Sequence, residues 1–268
     1  MAERPARKAP RTTKLVVRQT EWATPHLIRI VAAPVEPADI DRFAESPHTD
    51  AYVKVVFRQP GVTYPEPFDM AAAIHVVSGG LTVSLSVVMG LPAVLVALWI
   101  AIRITRTPFA DYLALRGTSW VNFLIGAVAL GVLVFGWDTL SRATGRDVAP
   151  GFMADVLQSA RADGALWLLL IAFCVAAPAS EELFARGFLY RGWSESFLGP
   201  TGAIILSSMV WTSLHLQYDR FFLGEVFSIG LLLGYLRYRT QSIWLTVVLH
   251  GFNNLAATLQ SLWLAGLN

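Results

Sequence analysis

Two adjacent carboxylates, one arginine, two histidines and an amide stand out in this sequence, because they sit in otherwise apolar stretches. They are Glu181, Glu182, Arg186, His215, His250 and Asn254. An ionisable side chain inside an apolar helix is costly and marks a functional candidate. On an α-helix, residues four apart share a face. Glu182 and Arg186 can therefore neutralise one another, in the favoured acid-first order. Glu181 is turned about 100° away and has Ala185 where such a partner would stand. One carboxylate is thus paired and the other is left to face a cavity, where it could take a proton from water as a general base. The competing reading is a helix end at the membrane surface with both glutamates solvated.

His250 and Asn254 are also four apart. A histidine and an amide on one face can donate two hydrogen bonds to one point, which is what an oxyanion needs. Equally, they could be polar side chains joining one helix to another. His215 follows Trp211 by four residues, and a lone histidine on an apolar helix is often a hydrogen-bonded packing residue. Each piece is weak alone; together they offer one base, two imidazoles and one amide.

These residues need helices to hold them, and the composition says where those helices lie. The chain has 268 residues, is 54% apolar and only 15% charged, with a mean hydropathy of +0.51. Soluble domains carry about 25% charged residues, so a membrane protein is expected. Spanning a bilayer takes roughly 20 apolar residues as helix. Six such spans are expected, at 82–102, 118–137, 164–190, 202–217, 221–238 and 242–265, with a kink near Pro92 and a short amphipathic stretch at 151–162. Trp120, Trp137, Trp193 and Trp263 fall near the expected ends, as interfacial aromatics do. The fold class is an all-α polytopic membrane helix bundle preceded by a short β-rich segment. The expected setting is the bacterial plasma membrane.

The front of the chain differs. Residues 1–70 hold ten of the 21 Lys and Arg and nine of the 19 Asp and Glu. LVVRQT, HLIRIVAA and AYVKVVF are short β-branched runs between turn residues, which predicts strands. The domain division is therefore 1–70, a polar β-rich piece, and 71–268, the membrane piece with its core at 164–265. The net charge of +2 gives no sign of a nucleic-acid partner. Cys174 is the single cysteine, which excludes an intramolecular disulfide and a paired-cysteine metal site. The stretch 15–69, through TPHLIRI, HTDAYVKVVF and PGVTYPEPFD, resembles the opening strands of the flavin-binding barrel of siderophore-interacting proteins. That family continues with an Arg-x-Tyr-Thr strand, where this chain turns to membrane helix. The front piece is expected to be a fusion remnant that the rest of the chain can do without.

The three polar motifs in order are Glu181-Glu182-x-x-x-Arg186, Trp211-x-x-x-His215 and His250-x-x-x-Asn254. With Arg186-Gly187-Phe188-Leu189 and the run leading into His250, they resemble the CAAX prenyl protease type II and bacteriocin-processing family of intramembrane endopeptidases. Trp211 stands where phenylalanine is usual and keeps an aromatic wall. The resemblance implies hydrolysis of a peptide bond in a membrane-associated or prenylated protein or peptide. It implies Glu181 as general base on a water, His215 positioning that water, His250 and Asn254 stabilising the oxyanion, and Glu182 with Arg186 as structural support. The metal-free version is preferred. A zinc version would use Glu181, His215 and His250 with an open fourth position, although Asn254 is a poor zinc ligand. A non-catalytic role in bacteriocin immunity or membrane binding is a further alternative. Haem ligation by His215 and His250 would leave the carboxylates and the amide without a use.

Overall fold

The computed structural model describes residues 15–24, 27–36, 79–149, 151–264 and 266. Contacts within the chain divide it into two compact units, Met1–His75 and Val76–Asn268. In the first unit, β1 (Leu15–Thr24) and β2 (Leu27–Pro34) pair antiparallel. Leu15 lies opposite Pro34 and Thr20 opposite Ile30, with irregularities between Val17 and Gln19 and between Trp22 and Thr24. Leu15, Val16, Val17, Ile30 and Val31 are all exposed. Two of the three expected strands are therefore present, and the third, AYVKVVF, lies outside the described residues.

The described part of the second unit is helices and their connections, with a single short turn of helix at Phe109–Tyr112 beside the longer ones. Its helices are α1 (Gly80–Arg103), α2 (Trp120–Ala143), α3 (Gly151–Ala162), α4 (Leu166–Ser194), α5 (Gly199–Ser213), α6 (Arg220–Thr240) and α7 (Ile243–Leu264). The amphipathic stretch is α3, which buries Val156, Leu157, Ser159 and Ala160 on one face. Helix α1 runs on through Pro92 without a break in the assigned helix. Trp120 and Trp263 sit exposed at helix ends. Trp137 does not, because α2 continues to Ala143 and the indole packs edge-on against Phe221 of α6.

Among the described residues, four helices are long and apolar enough to cross a membrane: α1, α2, α4 and α6. This makes the chain an integral membrane protein. The other two expected spans are helices of a different kind. Helix α5 has 15 residues, about 22 Å at 1.5 Å per residue, against a hydrocarbon core of about 30 Å. Helix α7 is long enough, but His250, Asn253, Asn254 and Gln260 dilute its hydropathy. Only 11% of the apolar window of α1 and of α2 is buried, against 39% for α4 and α6. The first pair offers its apolar side chains to lipid, and the second forms the centre.

The centre is one cluster drawn from five helices: Leu130, Ala185, Trp211, Ile229, Leu233, Leu236, Leu245 and Leu249. Two sites of close approach shape it. A Cβ on Gly251 would lie 2.6 Å from the carbonyl oxygen of Cys174, so α7 meets the backbone of α4 with no side chain between them. A Cβ on Gly230 would lie 3.1 Å from both Arg186 Nη2 and the Trp211 ring. Helix α4 is also wound loosely in two places, with π-helical turns at Ala172–Ala176 and Leu183–Leu189. The pair Glu181-Glu182 stands in the α-helical turn between them.

Candidate active site

The π turn at Ala172–Ala176 explains the first contact. Wide turns of this kind change the i→i−4 ladder and recur at functional sites. The carbonyl of Phe173, inside that turn, accepts a hydrogen bond from Asn254 Nδ2 at 2.9 Å. Asn254 therefore spends one amide hydrogen tying α7 to α4 beside the glutamates, and its second is left for another acceptor.

Glu182 and Arg186 form the buried pair expected from their spacing. Arg186 Nη1 donates to Glu182 Oε1 at 2.9 Å, and both side chains are fully buried. Arg186 Nη2 donates to the carbonyl of Gly230 at 3.1 Å, and the guanidinium lies 4.3 Å from the centre of the Trp211 ring. A buried charge survives only when paired and hydrogen-bonded; these contacts supply the pairing, although Glu182 Oε2 and Arg186 Nε are buried without a hydrogen-bond partner among the described residues. Breaking such a pair typically costs about 3–5 kcal/mol.

Glu182 has a second partner that its spacing did not reveal. The same Oε1 lies 3.0 Å from His250 Nδ1. That oxygen already accepts from Arg186, so Nδ1 is the donor and carries the hydrogen; the tautomer is assigned from the network. Nε2 is the nitrogen left for the cleft, and it stands 4.0 Å from Glu181 Oε2. In the neutral ring Nε2 has no hydrogen and can only accept. His250 can donate to an oxyanion only when it carries both protons.

Glu181 is held from the other side. Trp211 Nε1 donates to Glu181 Oε2 at 2.5 Å. Glu181 keeps 24% of its side chain exposed, while His250 keeps 3%. The carboxylate therefore stands at the edge of the protein interior with one oxygen fixed. The Trp211 ring stacks edge-on with His250 at 5.3 Å and with His215 at 5.1 Å. This indole touches Glu181, Arg186, His215 and His250. The sequence marked it as a wall; its N–H makes it a donor as well, which phenylalanine cannot be.

His215 lies two positions beyond the end of α5, in the turn that follows, and not inside a span. The helix stops at Ser213 because the chain must reach Asp219, whose side chain caps α6 by accepting from the N–H of Phe221 at 2.8 Å and of Phe222 at 3.1 Å. His215 Nδ1 lies 3.1 Å from the Trp211 carbonyl. A carbonyl only accepts, so Nδ1 carries the hydrogen and Nε2 is free.

The alternative zinc set is Glu181, His215 and His250. Among the described residues no three His, Cys, Asp or Glu side chains form a group that could hold a metal ion. His250 gives one nitrogen to Glu182, and the Glu181 oxygen nearest Nε2 already accepts from the indole.

Two residues near the site were missed. Gly230 was passed over because glycines in apolar helices are common; its role depends on Arg186 reaching its carbonyl. Tyr218 lies three residues after His215, with its ring 5.7 Å from the imidazole. Only its spacing from His215 could have pointed to it.

Residues 163–256 match the family model described as type II CAAX prenyl endopeptidase, Rce1-like. No curated protein and no solved structure matches the chain. The matched segment spans every residue placed at the site above.

Proposed function

We propose, on the premise that residues 163–256 belong to the Rce1-like type II CAAX prenyl endopeptidases, that this chain hydrolyses a peptide bond of a membrane-associated protein or peptide with a water activated by Glu181. The observation that carries the reading is the gap of 4.0 Å between Glu181 Oε2 and His250 Nε2. It is too long for a direct hydrogen bond, and a polar contact beyond 3.5 Å is the setting in which a water bridges. Glu181 is the one carboxylate of the pair with exposure left, since Glu182 is committed to Arg186 and His250.

In this mechanism Glu181 takes a proton from the water as the water oxygen bonds to the scissile carbonyl carbon. The carbonyl electron pair moves to oxygen. Collapse then restores the carbonyl and breaks the C–N bond, and the proton on Glu181 passes to the leaving amine. His215, with Nε2 free, orients the water. The second amide hydrogen of Asn254 and a doubly protonated His250 serve the oxyanion. Glu182 is more than support, because it fixes which nitrogen of His250 faces the cleft. No metal takes part in this scheme. Farnesylated CAAX-type peptides are the first substrates to try.

The test is cleavage of a quenched farnesylated CAAX-type peptide by detergent-purified protein, wild type beside Glu181→Gln, each with and without a zinc chelator. We expect Glu181→Gln to lose cleavage by at least about 10³-fold, with an unchanged thermal midpoint and no effect of chelator on the wild type. A fully active Glu181→Gln protein removes Glu181 as the base. Cleavage abolished by chelator returns the zinc mechanism.

A further inference from the structure

Counting donors for the oxyanion leaves a shortfall. Asn254 has one amide hydrogen remaining after Phe173, and His250 adds one at Nε2 only while it is doubly protonated; as the neutral tautomer it adds none. Preorganised donors aimed at the developing charge are usually the largest part of such catalysis. A neutral O–H or N–H beside the cleft, not already engaged by another residue, would make up the shortfall.

We propose that Tyr218 completes the oxyanion site, its phenol O–H donating to the scissile carbonyl oxygen as negative charge develops there. This rests on the peptidase reading above. Tyr218 stands in the connection between α5 and α6, and its backbone is pinned: its N–H donates to the His215 carbonyl at 3.0 Å, and the next residue, Asp219, caps α6. The ring is fixed by aromatic neighbours, His215 at 5.7 Å, Phe222 at 6.4 Å and Phe152 at 6.5 Å. His215 in turn stacks on Trp211, whose indole holds Glu181. The phenol is thus placed through two rings from the base. Its hydroxyl makes no hydrogen bond to any described residue.

The electrostatic setting suits a donor. Burial pushes the phenol up to about 12, and Glu181 and Glu225 push in the same direction. A group raised in this way keeps its proton below that value, so Tyr218 is a neutral O–H throughout the range in which the protein works. A phenol is amphipathic and is also at home at a membrane surface with its hydroxyl in water. In that case its hydroxyl would matter little to the chemical step, and the two roles predict different kinetics.

The experiment uses the full chain in detergent and the quenched farnesylated CAAX-type peptide, wild type, Tyr218→Phe and Glu181→Gln in parallel. A phosphinate analogue of the same peptide measures transition-state binding independently of turnover. We expect Tyr218→Phe to lower kcat by about 10²-fold, to leave KM and the thermal midpoint in place, and to weaken the phosphinate by a similar factor. Unchanged kcat, or kcat, KM and midpoint moving together, overturns the assignment. Cleavage lost in Glu181→Gln but untouched in Tyr218→Phe removes Tyr218 alone. A wild type that neither cleaves nor binds the phosphinate removes the peptidase reading and this proposal with it.

Discussion

At the scale of single residues, the site is a set of hydrogen bonds whose directions are forced. Arg186 can only donate, the carbonyls of Trp211 and Phe173 can only accept, and from these the hydrogens on both imidazoles follow. The indole of Trp211 is the side chain that touches the most of these groups. It holds Glu181 by its N–H while its face covers Arg186. Trp211→Phe keeps an aromatic face but deletes the donor. A hydrogen bond to a charged group is worth about 1.5–3 kcal/mol. Glu181 is partly exposed and can replace the lost donor with water, so the loss should fall at the lower end. We expect kcat/KM about tenfold lower with the thermal midpoint little changed, read by peptide cleavage and thermal unfolding of the purified variant. An unchanged kcat/KM would mean the indole does not position Glu181. The candidate residues themselves were legible in the sequence, because polar groups at depth are few. Their partners were not. Glu182–His250 joins residues 68 positions apart, and Asn254–Phe173 depends on a π turn that no apolar periodicity announces.

At the scale of helices, the apolar runs located α1, α2 and α4 to α7, since length and hydropathy are what such helices need. The ends were harder to read. Leu214 and Leu216 extended the apolar run past Ser213, so His215 was expected within a span, although the requirement to cap α6 at Asp219 ends α5 earlier. What brings the two polar helices together is Gly251. Its hydrogen faces the Cys174 carbonyl, where a Cβ would approach to 2.6 Å, and the obstacle is backbone that cannot swing aside. Gly251→Ala should push α7 off α4 and carry His250 and Asn254 away from Glu182 and Phe173. Overpacking costs about 1–3 kcal/mol, and the loss of alignment should cut cleavage more than stability. The control is Gly131→Ala in α2, where a Cβ meets nothing within 4 Å and alanine gains up to about 1 kcal/mol of helix propensity. Reduced folded yield and cleavage in the first variant, with neither in the second, is the expected pair of results. Equal behaviour of the two would show that the close approach is not what aligns the site.

At the scale of the whole molecule, the chain joins two pieces of unlike chemistry, and only one contains the site. Among the described residues, the hydrogen-bond partners of the side chains of Glu181, Glu182, Arg186, His215, His250 and Asn254 lie between Phe173 and Asn254. None of these contacts draws on the β1–β2 hairpin. A two-stranded hairpin is marginal alone, and this one leaves Val16, Val17, Ile30 and Val31 exposed. The membrane unit buries its own core from α1 to α7. A chain lacking residues 1–70 should therefore insert into membranes, purify as a single species in detergent and cleave the farnesylated peptide with kcat/KM within about twofold of the full chain. Twofold in kcat/KM is about 0.4 kcal/mol of transition-state stabilisation, the size of change expected when nothing near the reacting atoms is touched. Failure to insert would make the front piece part of biogenesis. Normal insertion with cleavage reduced by tenfold or more would make it part of substrate capture, and would end its description as a remnant.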